Sequence, residues 1–262
     1  MIYERLQEAL RAEQPVAIAT VIEGPNTGAK LLLTSDSDEV LGSLGNEDLD
    51  RVVIRDARGE LASGITIVRH YGEHGEARET TVAVFIESFA PPPQMFIFGA
   101  VDFTAALATM GRALGYRVTV CDARAVFATK RRFPMAHEVV VDWPHRLLQR
   151  VGAELGPRDA VCVLTHDAKF DVPAIVEALS TDVGYLGAMG SRRTHADRVE
   201  RLRDQGVDDA GLARIRAPIG LDLGARTPEE TAIAICAEII ALRTGRVSGA
   251  APLRDTSGPI HT

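Results

Sequence analysis

The sequence predicts an α/β fold in which a small N-terminal α+β domain precedes a larger domain built on a mostly parallel sheet. Three observations carry this reading. Apolar runs without polar alternation recur after residue 94, at 95–99 (MFIFG), 116–122 (YRVTVCD) and 160–165 (AVCVLT). Such strands belong in a parallel sheet covered on both faces. Helix-period segments alternate with them, which makes β-α-β units. Between the halves stands Ala90-Pro91-Pro92-Pro93, where consecutive prolines can continue neither a helix nor a ladder.

In the first half, Ile2, Leu6, Ala9 and Leu10 share one helical face, and strand-like pieces follow at 16–23, 29–34 and 39–42. Gly24-Pro25-Asn26 and Asp36-Ser37-Asp38 are turn signals between them. A helix is expected from about Glu47 to Asp56 with Leu49, Val52 and Val53 as its apolar side, before strands at 64–71 and 80–87. In the second half, Phe103, Ala106, Leu107, Met110 and Leu114 repeat at helical spacing. Further strands are expected at 138–141 and 183–189, and helices at 144–153, 170–179 and 193–204. The last helix opens with Thr227, Pro228 and Glu230, an N-cap, a first-turn proline and the acid of a capping box. Ile233, Ala237 and Ile240 are its predicted apolar face, and Arg243 and Gly245 mark its end. The expected organisation is therefore a small domain over 1–90, a Rossmann-like domain over 94–246 and a loose tail over 247–262.

Apolar residues make up 46% of the 262, which excludes wholesale disorder. The net charge of −7 argues against nucleic-acid or anionic-membrane partners, and no apolar run approaches the roughly 20 residues of a membrane span. A cytoplasmic protein is expected. Cys121, Cys162 and Cys236 lie in apolar stretches without a CxxC pair and read as buried small hydrophobes.

Gly99-Ala100-Val101-Asp102-Phe103-Thr104 invites comparison with the GxGxxG dinucleotide fingerprint, but Val101 fills the middle Gly position. Asp102 would set a carboxylate where phosphate should approach, so a self-capped helix is expected there and NAD(P) is not. Thr165-His166-Asp167 follows an apolar strand, with Asp171 four residues beyond Asp167. His166, Asp167 and Asp171 suit a general base with its orienter or a partial metal site; the alternative is a helix cap. No HExxH pattern accompanies them, so no preformed zinc site is expected. Met189-Gly190-Ser191-Arg192-Arg193 combines close backbone approach, a hydroxyl and two guanidinium groups at a helix start, which suits a phosphate-bearing anion. Lys30, and Asn46 within the Gly42-Ser43-Leu44-Gly45-Asn46 turn, are candidate contacts from the first half. His70 and His74 read as turn histidines, and Pro218-Ile219-Gly220-Leu221-Asp222 as a structural turn.

Together, the ATVI-to-GAKLLL region, MFIFGA, YRVTVCDAR, LTHDAKFD, YLGAMGSRRT and IRAPIGLDLGARTPEE resemble the XdhC/CoxI family, accessory proteins of molybdenum-cofactor hydroxylases. The resemblance implies a chaperone or maturation factor that binds the molybdenum cofactor (molybdopterin), assists its sulfuration, and delivers it to an apo molybdenum hydroxylase of the xanthine or carbon monoxide dehydrogenase type. A cysteine desulfurase is an implied partner, and a homodimer the implied assembly. Lys30, Asn46, His166, Asp167, Asp171, Ser191, Arg192 and Arg193 are the expected cofactor contacts. Two positions depart from the family pattern. Asn46 stands where a cysteine is expected, and Val101-Asp102 where Gly-His is usual. An amide can hydrogen-bond a ligand but cannot relay sulfur as a thiolate does. An NAD(P)-dependent oxidoreductase and a non-catalytic regulatory module are the alternative readings.

Overall fold

The computed structural model describes residues 2–35, 37–76, 79–246 and Arg254. Except for Arg254, the expected loose tail at 247–262 lies outside the described residues. The chain divides into two compact units, Met1–Pro91 and Pro92–Thr262.

The first unit comprises α1 (Ile2–Arg11), β1 (Val16–Glu23), β2 (Lys30–Thr34), β3 (Val40–Ser43), α2 (Glu47–Ser63), β4 (Ile67–Tyr71) and β5 (Val82–Phe89). Its five strands run in the order β3-β2-β1-β5-β4, antiparallel throughout. Alternation along β1 and β2 puts Ala17, Ala19, Leu31 and Leu33 in one core with Leu49, Val53, Ala57 and Leu61 of α2. Val16 and Leu32 pack with Ala9 of α1 in another. The helix expected to stop near Asp56 continues for two more turns. Val53, Ala57 and Leu61 repeat every four residues, but the charged run around them hides the stripe. Gly64 ends the helix in the left-handed region at φ 65°, where a side chain would be strained.

The second unit contains β6 (Gln94–Phe98), α3 (Asp102–Ala113), β7 (Arg117–Cys121), β8 (Glu138–Val140), α4 (Pro144–Val151) and a 3-10 turn at Gly152–Glu154. Then come β9 (Ala160–Val163), α5 (Ala168–Leu179), β10 (Tyr185–Ala188), α6 (Arg192–Asp204), α7 (Asp209–Arg214), β11 (Ile215–Arg216) and α8 (Pro228–Arg243). The six strands run β11-β10-β9-β6-β7-β8, and each neighbouring pair is parallel. Strand period 2 sends Met95 and Ile97 to one face, against Leu107 of α3 and Ile235 and Ile239 of α8. Phe96 and Phe98 face the other, against Leu148, Ile175 and Leu202 of α4, α5 and α6. That two-sided burial explains the uninterrupted apolar runs.

The face that α8 buries is not the one expected. Ile233 and Ile240 are exposed, and α8 instead buries Ala232, Ile235, Cys236 and Ile239. The helix is apolar on most sides, so its pattern does not choose a face; Ala232 and Cys236 let it approach α3 closely. Helix α7 and strand β11 are additions to the elements that the sequence predicts. Both are short, and β11 pairs through only Ile215 and Arg216. Among the described residues, no helix is long and apolar enough to cross a membrane.

Candidate functional site

In a parallel sheet every strand delivers its carboxyl end to the same edge, and the crevice opens where the strand order reverses. Here the reversal falls between β6 and β9, which are hydrogen-bonded neighbours. Gly99 follows β6 at φ 110°, and a Cβ there would meet Thr165 Cγ2 at 2.6 Å and Thr165 N at 3.0 Å. Glycine is therefore required by both the turn and the approach of the loop after β9.

Asp102 does not cap α3. Val101 occupies the N-cap position and Asp102 is the first helical residue, and among the described residues its carboxylate accepts no bond from the helix N–H groups. Its side chain is 92% exposed and lies 3.7 Å from Arg132. Thr104 closes the turn instead, donating to the Gly99 carbonyl and accepting from Val101 N at 3.3 Å. The acid that matters here is Asp122, after β7. It is buried and accepts from Ala100 N (2.7 Å), Arg124 N (2.9 Å), Arg124 Nε (2.9 Å) and Arg124 Nη2 (2.7 Å). Burial alone would raise its pKa, but the Arg124 guanidinium and the two amides outweigh burial and hold the carboxyl below the usual range. Arg132 holds the same turn, donating to the Ala100 carbonyl at 3.0 Å. Arg124 also lies over Phe127, 4.7 Å from the ring centre.

The residues after β9 separate into two roles. His166 and Asp167 are exposed, and Asp167 serves as the N-cap of α5, accepting from Lys169 N at 3.1 Å and pairing with Lys169 Nζ at 3.3 Å. These contacts hold the Asp167 carboxyl below its ordinary pKa, the backbone bond most of all. Asp171 is buried. It accepts from the Thr165 hydroxyl and from Arg198 Nη2 at 3.1 Å. Its pKa is raised by burial, which these donors only partly offset. The sequence grouping of His166, Asp167 and Asp171 thus divides into an exposed pair and a buried carboxylate. Among the described residues, no group of three or more His, Cys, Asp or Glu side chains could hold a metal.

After β10, Gly190 adopts φ 140° and Ser191 caps α6, accepting from Thr194 N at 3.1 Å. Arg192 and Arg193 are exposed and make no ion pair among the described residues. The guanidinium that sequence reasoning missed is Arg198. It lies on the inner stripe of α6 with Leu202, only 3% exposed, and also donates to the Met189 carbonyl at 2.7 Å. Its sequence signal is weak but present: Arg198 stands four residues before Leu202, on the face that must be buried. The Pro218–Asp222 turn reaches this edge too, since Ile219 N donates to the Ala188 carbonyl at 3.1 Å. Glu238 of α8 anchors that turn, accepting from Gly220 N at 2.8 Å and from Tyr185 Oη at 2.6 Å.

In the first unit, Lys30 Nζ is exposed and donates to Thr20 Oγ1 at 2.9 Å. Asn46 caps α2, accepting from Asp48 N at 2.9 Å and Leu49 N at 3.3 Å, while its amide nitrogen lies 2.9 Å from His74 Nδ1. Lys30 and Asn46 are not bonded to each other. All three cysteines are buried, as the apolar context predicts. Burial pushes Cys121 up to about 12 and Cys236 up to about 11, and raises Cys162 further.

Both units have counterparts among known proteins. Residues 95–239 match the XdhC Rossmann domain, and residues 9–72 match the XdhC and CoxI family. A probable xanthine dehydrogenase subunit from Bacillus subtilis is 32% identical over 63% of this chain and 47% of its own length. The "Molybdenum cofactor insertion chaperone PaoD" of Escherichia coli is 28% identical over 61% of this chain and 43% of its own. YqeB of Escherichia coli is 25% identical over 92% of this chain and 47% of its own. The chain thus spans about half the length of the curated relatives it matches. A crystal structure of a xanthine dehydrogenase from Bacillus halodurans, 22% identical, superposes with a TM-score of 0.55 over 95% of this chain and 97% of that one, a likeness of fold. With more than half of its residues matched to one family domain and its N-terminal unit matched to the same family, the chain belongs to the XdhC and CoxI family.

Proposed function

We propose that the chain is an accessory protein that holds molybdenum cofactor at the carboxyl edge of the second sheet. It passes the cofactor to an apo molybdenum hydroxylase of the xanthine or carbon monoxide dehydrogenase type. The observation that carries this reading is the match of both units to one family, over 9–72 and 95–239. Similarity to PaoD, named as an insertion chaperone, supports it. The reading places the protein in the cytoplasm as a homodimer.

The donor set fits the anionic end of such a cofactor. Ser191, Arg192 and Arg193 stand at the N-terminus of α6, where N–H groups and guanidinium donors favour phosphate. His166 and Asp167, exposed on the loop after β9, would supply polar contacts from the neighbouring loop. Taken by itself, the first unit offers Lys30, which keeps donors beyond its bond to Thr20, and Asn46, whose side chain is engaged in capping α2 and against His74. The donor set does not fit thiolate ligation. Asn46 has no sulfur, and the three thiols are buried with raised pKa values. Sulfur transfer therefore belongs to a partner such as a cysteine desulfurase, and this chain binds, orients and shields. The bound group supplies the redox chemistry of the enzyme that receives it.

Native mass spectrometry with purified molybdenum cofactor, and separately with NAD(P), tests the reading. The cofactor should be retained, and the loaded chain should restore activity to an apo-hydroxylase. No retained cofactor, or retention of NAD(P) alone, would overturn it.

A further inference from the structure

We propose that Arg198 is the buried anchor of an oxyanion site at the N-terminus of α6, and that the ligand it takes is a phosphate monoester or a similar tetrahedral dianion. The proposal rests on the reading of this edge as a cofactor site and adds a residue and a ligand class to it.

Arg198 is 3% exposed. Its Nη2 serves two acceptors, Asp171 Oδ2 at 3.1 Å and the Met189 carbonyl at 2.7 Å. Its Nη1 is buried without a hydrogen-bond partner among the described residues. A buried charged donor left unpaired is unfavourable and uncommon in folded proteins. The guanidinium lies close against the Met189-Gly190 turn, where a Cβ on Gly190 would come 3.6 Å from Arg198 Nη2 and 3.1 Å from Thr194 Cβ. Glycine at this position, with its φ of 140°, lets the turn pack closely against Thr194 and the arginine.

Helix α6 supplies the remaining donors. Its 13 residues give it a full set of free N-terminal N–H groups, and Ser191 satisfies only that of Thr194. Its first turn has no acid and carries Arg192 and Arg193, the sign opposite to what stabilises an isolated helix start. Asp171 is the acid bonded to Arg198, and their charges offset each other. Arg192 and Arg193 then remain to balance two negative charges. A buried planar guanidinium, amides at the helix start and exposed cations are the kinds of donor that a tetrahedral dianion accepts. Through Asp171 and the Thr165 hydroxyl, the same arginine reaches the residue that packs against Gly99. One side chain thereby links the turn after β10 to the two walls of the crevice.

The test is an NMR titration of the whole chain with inorganic phosphate at constant ionic strength, in the wild type and in Arg198→Lys. Lysine keeps the charge and loses the fork. Saturable shifts are expected at the Gly190, Ser191 and Arg192 amides and at the Arg198 guanidinium N–H signals. Affinity should fall about tenfold or more in Arg198→Lys while the cooperative melt is kept. Equal affinity in the folded variant, or shifts confined to Arg124 and Arg132, would overturn the proposal. Should Arg198→Lys fail to fold, the wild type decides alone: guanidinium signals unmoved at saturating phosphate refute it. Phosphate binding without retention of purified cofactor would defeat the proposed function and leave this site standing. Cofactor retention without phosphate binding here would do the reverse.

Discussion

Replacing Asp122 is the sharpest probe of how the crevice is held open. Its carboxylate accepts four hydrogen bonds, one of them from the buried Ala100 amide at 2.7 Å. In Asp122→Ala that amide loses its acceptor, a loss of about 1–3 kcal/mol. The pairing with Arg124, whose side chain is 45% exposed, adds about 0.2–1 kcal/mol after solvent screening. The total of about 1–4 kcal/mol corresponds to a fall in Tm of roughly 2–15 °C for a unit of this size. Asp122→Asn keeps an acceptor for Ala100 and forfeits only the charge, so its Tm should fall by less. The pH dependence has a definite sign. The folded pKa lies below the unfolded value, so the contribution is full above the unfolded value near 3.8 and is lost as pH falls through the folded one. Thermal melts followed by circular dichroism from pH 7 to pH 2 should therefore show the gap between wild type and Asp122→Asn closing at the acid end. A gap that stays constant with pH, or an Asp122→Ala variant as stable as the wild type, would refute the assignment of Asp122 as the turn's anchor.

Other predictions address the chemistry and the scaffold. Native protein at neutral pH should leave all three thiols unmodified by an aromatic disulfide reagent over minutes, with three reacting on denaturation; one fast native thiol would reopen a thiolate mechanism. Calorimetry should detect no saturable NAD(P) binding up to millimolar ligand, because Asp122, placed where a ribose-binding acid would sit, is already filled by Ala100 and Arg124. A micromolar Kd would contradict this. Thr227→Ala removes the 3.2 Å bond from Glu230 N and should destabilise by about 1 kcal/mol, a Tm fall of roughly 2–4 °C.

The parallel sheet is legible because burial on both faces leaves a mark in the chain. Strands such as 95–99 carry no polar alternation, and the structure places Met95 and Phe96 in different cores. The capping box of α8 is legible for a local reason, since Thr227 and Glu230 need only each other. What escapes depends on partners distant in sequence. The choice of Ile235 over Ile233 as an inward residue is made by α3, far away along the chain, and nothing within α8 encodes it. Strand β11 exists because two residues find the edge of β10.

The site shows the same division with more consequence. Ser191, Arg192 and Arg193 are readable as a helix start because capping and exposed charge are properties of a few consecutive residues. Arg198 is only faintly so, through its spacing from Leu202, because an arginine amid RVERLRD resembles any solvated helix charge until the fold turns that face inward. Asp171 stands out in the sequence for its nearness to His166, whereas its hydrogen-bond partners are Thr165 and Arg198. A carboxylate and a guanidinium brought together at that depth stabilise less than their attraction suggests, since both lose water. The pair acts through position: it fixes the loop after β9 against the turn after β10. Removing only one partner leaves the other charge buried, so Asp171→Leu should destabilise more than the double change Asp171→Leu with Arg198→Met. Urea unfolding of the wild type and both variants measures this coupling directly, and equal losses for the single and double variants would mean that Arg198 finds a substitute acceptor at the Met189 turn.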